Sequence, residues 1–119
     1  MSEVDFNDVK IIRGFILSKL YSLRYWRKPG GRPRGHTSIS NIPKGYKPHL
    51  SGAVKGEVES LNRMGLVNVF PHKGNGELHV CAVNDPRLIE RGLELCNIYR
   101  VAVGLPPLDR RFREILDSE

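Results

Sequence analysis

Residues 50–70 read LSGAVKGEVESLNRMGLVNVF, and this stretch decides the expected fold. Apolar residues recur at spacings of three and four from Leu50 to Met64, which predicts a helix with one apolar face. Gly65 suits a left-handed C-terminal cap, and the alternation of apolar and polar residues after it predicts a strand. The stretch therefore predicts a helix that leads directly into a β-strand.

A second alternating segment, ELHVCAV at residues 77–83, follows the turn-forming sequence PHKGNG. Together with residues 66–70 it predicts a β-hairpin. Asn84 and Asp85 before Pro86 predict the start of a helix over roughly 86–103, because proline suits the first helical turn. Gly104 and two prolines end that helix, and a last short amphipathic helix is expected over 109–117.

The residues before Leu50 predict two helical segments separated by a loop. Residues 8–25 have helical periodicity, with an apolar stripe that begins at Val9 and ends at Leu23. Residues 26–36, WRKPGGRPRGH, contain two prolines and three glycines, which exclude a helix and predict a flexible basic loop. Thr37 or Ser38 then caps a short helical segment, and a turn around residues 43–45 leads to the helix that begins near Pro48.

The charges are unevenly distributed along the chain. The net charge is +6, and residues 9–56 contain eleven lysines and arginines and no acid. Residues 1–8 contain three acids, and residues 57–119 contain ten acids and eight bases. A contiguous acid-free stretch indicates a polyanionic partner, although it is also typical of a surface that only aids solubility.

The order helix, short helix, turn, helix and hairpin resembles the winged helix-turn-helix superfamily, and residues 36–84 carry the resemblance. The segment HTSISNIPKGYKPHLSG is also similar to small archaeal winged-helix proteins of unsettled role. The resemblance implies an α+β, mostly helical fold, with a three-helix core and a β-hairpin wing in residues 1–84. Residues 85–119 are then a C-terminal helical extension that packs on this domain or mediates dimerisation.

Winged-helix proteins usually place their third helix in the major groove of DNA, so the resemblance implies a DNA-binding regulator or architectural protein. The expected contacts lie on the basic loop, the turn, the first half of the third helix and the wing. They are Arg27, Lys28, Arg32, Arg34, His36, Lys44, Lys47, His49, Ser51, Lys55 and Lys73. Base-reading side chains are scarce among them, which favours affinity over sequence specificity.

Two other functions fit the same fold. An RNA-binding protein would use the basic loop with Tyr25 and Trp26 stacked on bases, although an aromatic ring at a helix end more often packs in the core. A protein-interaction module would use the hairpin or the C-terminal helix. Gly52 and Gly56 on the outer side of the third helix suggest a close approach, either by a phosphate backbone or by another helix.

We expect no metal site, no cofactor and no enzymatic activity, and we leave the oligomeric state open. The four histidines and Cys81 match neither a C-x2-C nor an H-x3-5-H pattern, so we expect no metal and no cofactor. No known catalytic motif is present, so we expect no enzyme. Two cysteines and the lack of a leader or membrane span favour a cytoplasmic protein. Apolar residues outside the main stripe of the 86–103 helix suggest a homodimer, unless the segment 105–117 covers them.

Overall fold

The structure, a computed structural model, describes residues 3–72, 74 and 76–118. This described part is an α+β fold, which confirms the expected class. Its helices are α1 (Val9–Ser22), α2 (Ser51–Arg63), α3 (Ile89–Ala102) and α4 (Arg110–Ser118). Its strands are β1 (Trp26–Arg27), β2 (Thr37–Ser38), β3 (Val67–Pro71) and β4 (Leu78–Val83). Single 3₁₀ turns at Ile39–Asn41 and Pro48–Leu50 precede α2.

Helix α1 is the centre of the core. Both α2 and α3 pack on it, so it is buried on most of its sides. The single apolar stripe predicted for this helix is wrong at both ends, because Val9 and Leu23 are exposed while Ile11 and Leu17 are buried. The reason is that a helix packed between two others buries more than one face, whereas an amphipathic pattern describes a helix with one solvated side.

Two glycines allow α1 and α3 to approach each other closely. A Cβ atom on Gly14 of α1 would collide with the carbonyl oxygen of Leu95, and a Cβ on Gly92 of α3 would collide with the hydroxyl of Tyr21. The hydroxyl of Tyr21 has no hydrogen-bond partner among the described residues, and burial raises the pKa of Tyr21. The crossing therefore depends on the absence of side chains at these two positions.

Strand β4 is the centre of the small sheet. Strand β3 is antiparallel to it along one edge, with Val69 opposite Val80, which confirms the predicted hairpin. Strand β2 is antiparallel to β4, and β1 is parallel to it. Because β3 occupies one edge of β4 from Leu78 to Ala82, β1 and β2 lie one after the other on the opposite edge.

The flexible loop predicted for residues 26–36 is wrong at its start, because Trp26 and Arg27 form β1. Trp26 is 2% exposed, as the packing interpretation of this ring expected. The amide of Ala82 donates to the carbonyl of Tyr25, and the amide of Arg34 donates to the carbonyl of Trp26 at 2.9 Å. Local composition did not reveal this strand because its partner is more than fifty residues away.

The segment before α2 contains 3₁₀ turns where the sequence predicted helical segments. The expected short helix is one 3₁₀ turn, in which the Ser38 hydroxyl accepts a hydrogen bond from the amide of Ser40 at 3.2 Å. The predicted third helix starts as the second 3₁₀ turn, at Pro48, and continues as α2. Gly65 follows α2 with φ of +80°, which confirms the predicted left-handed residue.

The C-terminal residues fold back onto α3. Helix α3 begins at Ile89, three residues later than predicted, because residues 86–88 form a turn closed by the carbonyl of Asp85. Leu116 of α4 is fully buried in the common core. The side chain of Asn97 exchanges two hydrogen bonds with the backbone of Leu108, at 2.7 and 3.1 Å. These contacts fix the position of the last helix.

Part of the apolar surface of α3 stays exposed despite this cover. Leu93 is buried, whereas Ile98 and Val101 are 36% and 62% exposed. Dimerisation through this helix and a domain boundary at residue 84 stay predictions. Each helix within the described ranges is too short or too polar to form a membrane span.

Candidate nucleic-acid interface

A surface hollow of about 240 Å³ opens where α2 begins. Three of the expected contact residues, Lys44, Ser51 and Lys55, line it together with Ser40 and Tyr46. None of its described lining residues is acidic, and no side chain caps the first turn of α2. Two ammonium groups beside the positive end of a helix dipole favour a phosphate group at this place.

Lys19 of α1 fixes the turn that carries Lys44. Its Nζ atom donates to the carbonyl oxygens of Asn41, Ile42 and Lys44, at 2.8, 3.1 and 2.7 Å. Burial lowers the pKa of Lys19, and the positive charge of Lys44 lowers it further. Sequence patterns did not reveal the role of Lys19, because nothing in the pattern of α1 shows which distant carbonyls a lysine caps.

The neighbouring residues of this turn have structural contacts as well. The Tyr46 hydroxyl donates to the carbonyl of Phe6 at 2.7 Å, and burial raises the pKa of Tyr46 to about 12. Lys47 lies outside the hollow, with its Nζ 4.7 Å above the centre of the Phe6 ring.

His49 is exposed on the second 3₁₀ turn. The Ser51 hydroxyl donates to the carbonyl of Pro48 at 2.9 Å.

The solvent side of the first half of α2 is open. Outside the backbone of α2 itself, a Cβ atom on Gly52 or Gly56 would meet no described atom within 4 Å, so no other helix among the described residues explains these glycines. Glu57 is turned inward, with its Oε1 2.7 Å from Nε of Arg13. Glu59 is exposed one turn after Lys55 and limits the basic surface to the beginning of the helix.

The basic loop forms a second, separate hollow of about 220 Å³. Four expected contact residues line it beside Trp26 and Gly31, namely Arg27, Lys28, Arg32 and Arg34. The guanidinium carbon of Arg34 lies 6.0 Å from the centre of the Trp26 ring. Nε of Arg27 is buried and has no hydrogen-bond partner among the described residues. The two hollows share no lining residue, so the expected contacts form two groups.

His36 lies in neither hollow but in a cluster with His72 and His79. The ring centroids are separated by 4.2 to 5.3 Å, and Nδ1 of His36 lies 2.8 Å from Nδ1 of His79. One nitrogen of each ring lies within 4.8 Å of the other two. Burial lowers the pKa of His36, and the neighbouring His79 and His72 lower it further. The remaining expected residue, Lys73, lies outside the described residues.

The strand register explains why these histidines meet. His79 on β4 is opposite Ser38 on β2 and opposite Phe70 on β3. His36 and His72 each lie two residues from one of those partners, and residues two apart share a face of a strand. Motifs of closely spaced ligands do not reveal this cluster, which becomes visible once the pairing of β2, β3 and β4 is known.

Glu77 connects the histidine cluster to the first hollow. Its Oε1 accepts hydrogen bonds from the hydroxyls of Ser38 and Ser40, and its Oε2 lies 3.8 Å from Nε2 of His79. The hydrogen bond from Ser38 lowers the pKa of Glu77. Because Ser40 also lines the hollow beside Lys44, the cluster and the basic hollow are neighbours.

A larger hollow, of about 700 Å³, lies between α3 and α4. Glu90, Glu94 and Asp109 line it, with Arg113 as the only base among its described lining residues. This acidic surface does not suit a polyanion, despite its greater size. The smaller basic hollows are therefore the better candidates for the interface.

Comparison of the chain with protein-family models, with curated proteins and with solved structures yields no match. The function is therefore inferred from the residues and their geometry.

Proposed function

We propose that this chain is a winged helix-turn-helix protein that binds duplex DNA, as a regulator or an architectural protein. The observation that carries the proposal is the convergence of Lys44, Ser51 and Lys55 on one acid-free hollow at the start of α2. In this proposal α2 is the helix that enters the major groove, and the β3–β4 hairpin is the wing.

The order of the elements supports the proposed architecture. Helix α1 is followed by the short strands β1 and β2, two 3₁₀ turns, α2 and the hairpin. Strand β2 pairs with β4, so the chain before the turn is attached to the hairpin that follows α2. The turn, α2 and the hairpin correspond to the three parts that contact DNA in winged-helix proteins. They would thus be held in one rigid unit.

The placement of charge supports a polyanionic partner. The acid-free residues 9–56 supply both basic hollows, and Glu57, the first acid after them, is paired with Arg13. Open backbone at Gly52 and Gly56 leaves room for a phosphate strand to approach α2 closely. Contacts of this kind give affinity that depends strongly on salt and weakly on sequence.

Duplex DNA is favoured over single-stranded RNA because the aromatic rings near the basic loop are used for packing. Trp26 is buried, and Tyr25 packs against the core and against Gly35. Neither ring is free to stack on an unpaired base, which is the usual way in which proteins grip single-stranded RNA.

The test is a fluorescence-anisotropy titration of labelled duplex DNA at two salt concentrations. We expect the affinity to fall steeply with salt, as several phosphate contacts require. Lys44→Glu and Lys55→Glu should each weaken binding about tenfold or more. Arg91→Glu on α3 is the matched control, because it changes the net charge equally but lies outside both basic hollows, and it should bind nearly as well as the wild type.

Salt-independent binding, no binding, or an equal loss in the Arg91→Glu control would contradict the proposal. Competition with unlabelled RNA completes the test. If RNA displaces the duplex more efficiently than unlabelled DNA does, the preference for DNA is wrong while the basic interface stands. Circular dichroism of each variant establishes that a loss of binding is not a loss of folding.

A further inference from the structure

We propose that His36, His72 and His79 form a binding site for a divalent transition-metal ion of the zinc class. The three imidazoles come from three different segments, namely the end of the basic loop, the β3–β4 turn and strand β4. One nitrogen of each ring lies within 4.8 Å of the others. The proposal does not depend on the proposed DNA binding.

The distances suit a small ion after a modest adjustment. In a tetrahedral zinc site with Zn–N bonds of about 2.0 to 2.1 Å, the ligand nitrogens are about 3.4 Å apart. Nδ1 of His36 and Nδ1 of His79 are 2.8 Å apart, and the widest separation in the cluster is within 4.8 Å. Ring rotations that move the nitrogens by roughly 1 Å would therefore bring them to the spacing of zinc ligands.

The donor set selects the class of ion. Three imidazole nitrogens suit Zn²⁺, Cu²⁺, Ni²⁺ and Co²⁺, whereas Ca²⁺ and Mg²⁺ require mostly oxygen ligands. All three rings are partly buried, so a bound ion would be only partly hydrated. Three protein ligands leave one tetrahedral position for water or an anion.

Glu77 lies where it can act as a positioning residue for His79, one of the three ligands. Nδ1 of His79 faces His36, while its Nε2 faces Oε2 of Glu77 at 3.8 Å. Histidines that bind a metal through one nitrogen commonly donate their other N–H to a carboxylate, which fixes the ring and its tautomer. The hydroxyls of Ser38 and Ser40 hold that carboxylate in place.

A bound ion would join the hairpin to the end of the basic loop. His72 stands at the end of β3, where its amide donates to the carbonyl of Glu77 at 2.7 Å. His36 stands directly before β2. Because the ion would bind the folded arrangement and not the unfolded chain, it would raise the melting temperature.

The experiment is calorimetric titration of Zn²⁺ into the full chain after treatment with a chelator, with Co²⁺ as a spectroscopic probe. We expect one ion per chain and the visible d–d bands of tetrahedral Co²⁺ with nitrogen ligands. His36→Gln, His72→Gln and His79→Gln should each weaken Zn²⁺ binding about 100-fold or more. Glu77→Gln should weaken it about 10- to 100-fold, as for other outer-sphere carboxylates.

His49→Gln is the matched control, because His49 is the one remaining histidine and is exposed on a 3₁₀ turn away from the cluster. This variant should bind Zn²⁺ as the wild type does. Cys81→Ser tests the thiol that the register places on the same face of β4 as His79. It should leave the Co²⁺ spectrum unchanged, and the wild-type spectrum should lack a thiolate charge-transfer band.

The proposal is overturned if the wild type binds no stoichiometric Zn²⁺, if the cluster variants bind as tightly as the wild type, or if His49→Gln loses binding. A thiolate band that disappears in Cys81→Ser would overturn the three-histidine donor set. Should a cluster variant fail to fold, the ¹⁵N shifts of the wild-type imidazoles decide. Zn²⁺ must then perturb the rings of His36, His72 and His79 and leave the ring of His49 unchanged.

Discussion

Nε of Arg13 on α1 lies 2.7 Å from Oε1 of Glu57 on α2, across 44 residues of sequence. Both side chains are partly buried, so water screens the pair less than it screens a surface ion pair. The contact ties the central helix to α2. It also compensates the negative charge of Glu57, which is the acid closest in sequence to Lys55 on the basic face of α2.

A double-mutant cycle measures this pair. Arg13→Ala and Glu57→Ala should each lower the free energy of unfolding in urea, and the double variant should lose less than the sum. We expect a coupling energy of about 0.5 to 1 kcal/mol, at the upper end for pairs that remain partly exposed. The coupling should shrink at high salt, and additive losses would show that the pair contributes nothing.

The helix crossing at Gly14 can be tested against an exposed glycine. In Gly14→Ala the new methyl group meets the backbone of Leu95, which cannot rotate away, so we expect a loss of about 1 to 3 kcal/mol in unfolding free energy. In Gly52→Ala the methyl group enters open space, and the better helix propensity should add about 0.5 to 1 kcal/mol. Equal effects in chemical denaturation would contradict the close crossing.

Gly56→Ala separates stability from DNA binding. The position is open and lies within α2, so the substitution should stabilise the helix by about 0.5 to 1 kcal/mol. If a phosphate strand approaches the backbone there, the same variant should bind duplex DNA several-fold more weakly in the anisotropy assay. Unchanged affinity would place the DNA contact elsewhere on α2.

Lys19→Met removes the three hydrogen bonds that hold the turn at residues 41–44. We expect a loss of about 1 to 3 kcal/mol in unfolding free energy, because the carbonyls of the turn, two of them part-buried, lose a charged donor. Amide exchange at Tyr46, whose amide donates to the carbonyl of Pro43 at 3.0 Å, should accelerate. Lys10→Met, at an exposed position on the same helix, is the control and should change neither quantity appreciably.

We expect Cys96 to make the fold sensitive to alkali. Burial raises the pKa of its thiol from 9.0 to about 12. Between these two values the unfolded chain releases the thiol proton while the folded chain retains it, so stability is complete below pH 9 and falls as the pH rises towards 12. Unfolding free energies of the wild type and Cys96→Ala, measured from pH 8 upward, should diverge in slope above about pH 9. Parallel curves would show that the thiol does not contribute.

Local sequence patterns were sufficient for the elements that depend on near neighbours. The periodicity from Leu50 to Met64, the left-handed Gly65 and the alternation in residues 77–83 predicted α2 and the hairpin closely, since helix spacing, glycine φ and strand alternation are local properties. The acid-free stretch could likewise be identified from the sequence by counting charged residues. It predicted that most of the basic contacts would come from residues 9–56, and both basic hollows are lined by residues of this stretch.

Tertiary structure alone decided which distant residues meet. Strand β1, the carbonyls capped by Lys19, the pairing of Arg13 with Glu57 and the cluster of His36, His72 and His79 all depend on contacts across 22 or more residues, apart from the step within the hairpin. Such contacts follow from strand register and from helix packing, which a linear pattern does not encode. The sequence therefore determined the basic stretch that supplies the candidate interface, whereas the pairing of β2 and β3 with β4 created the histidine cluster beside it.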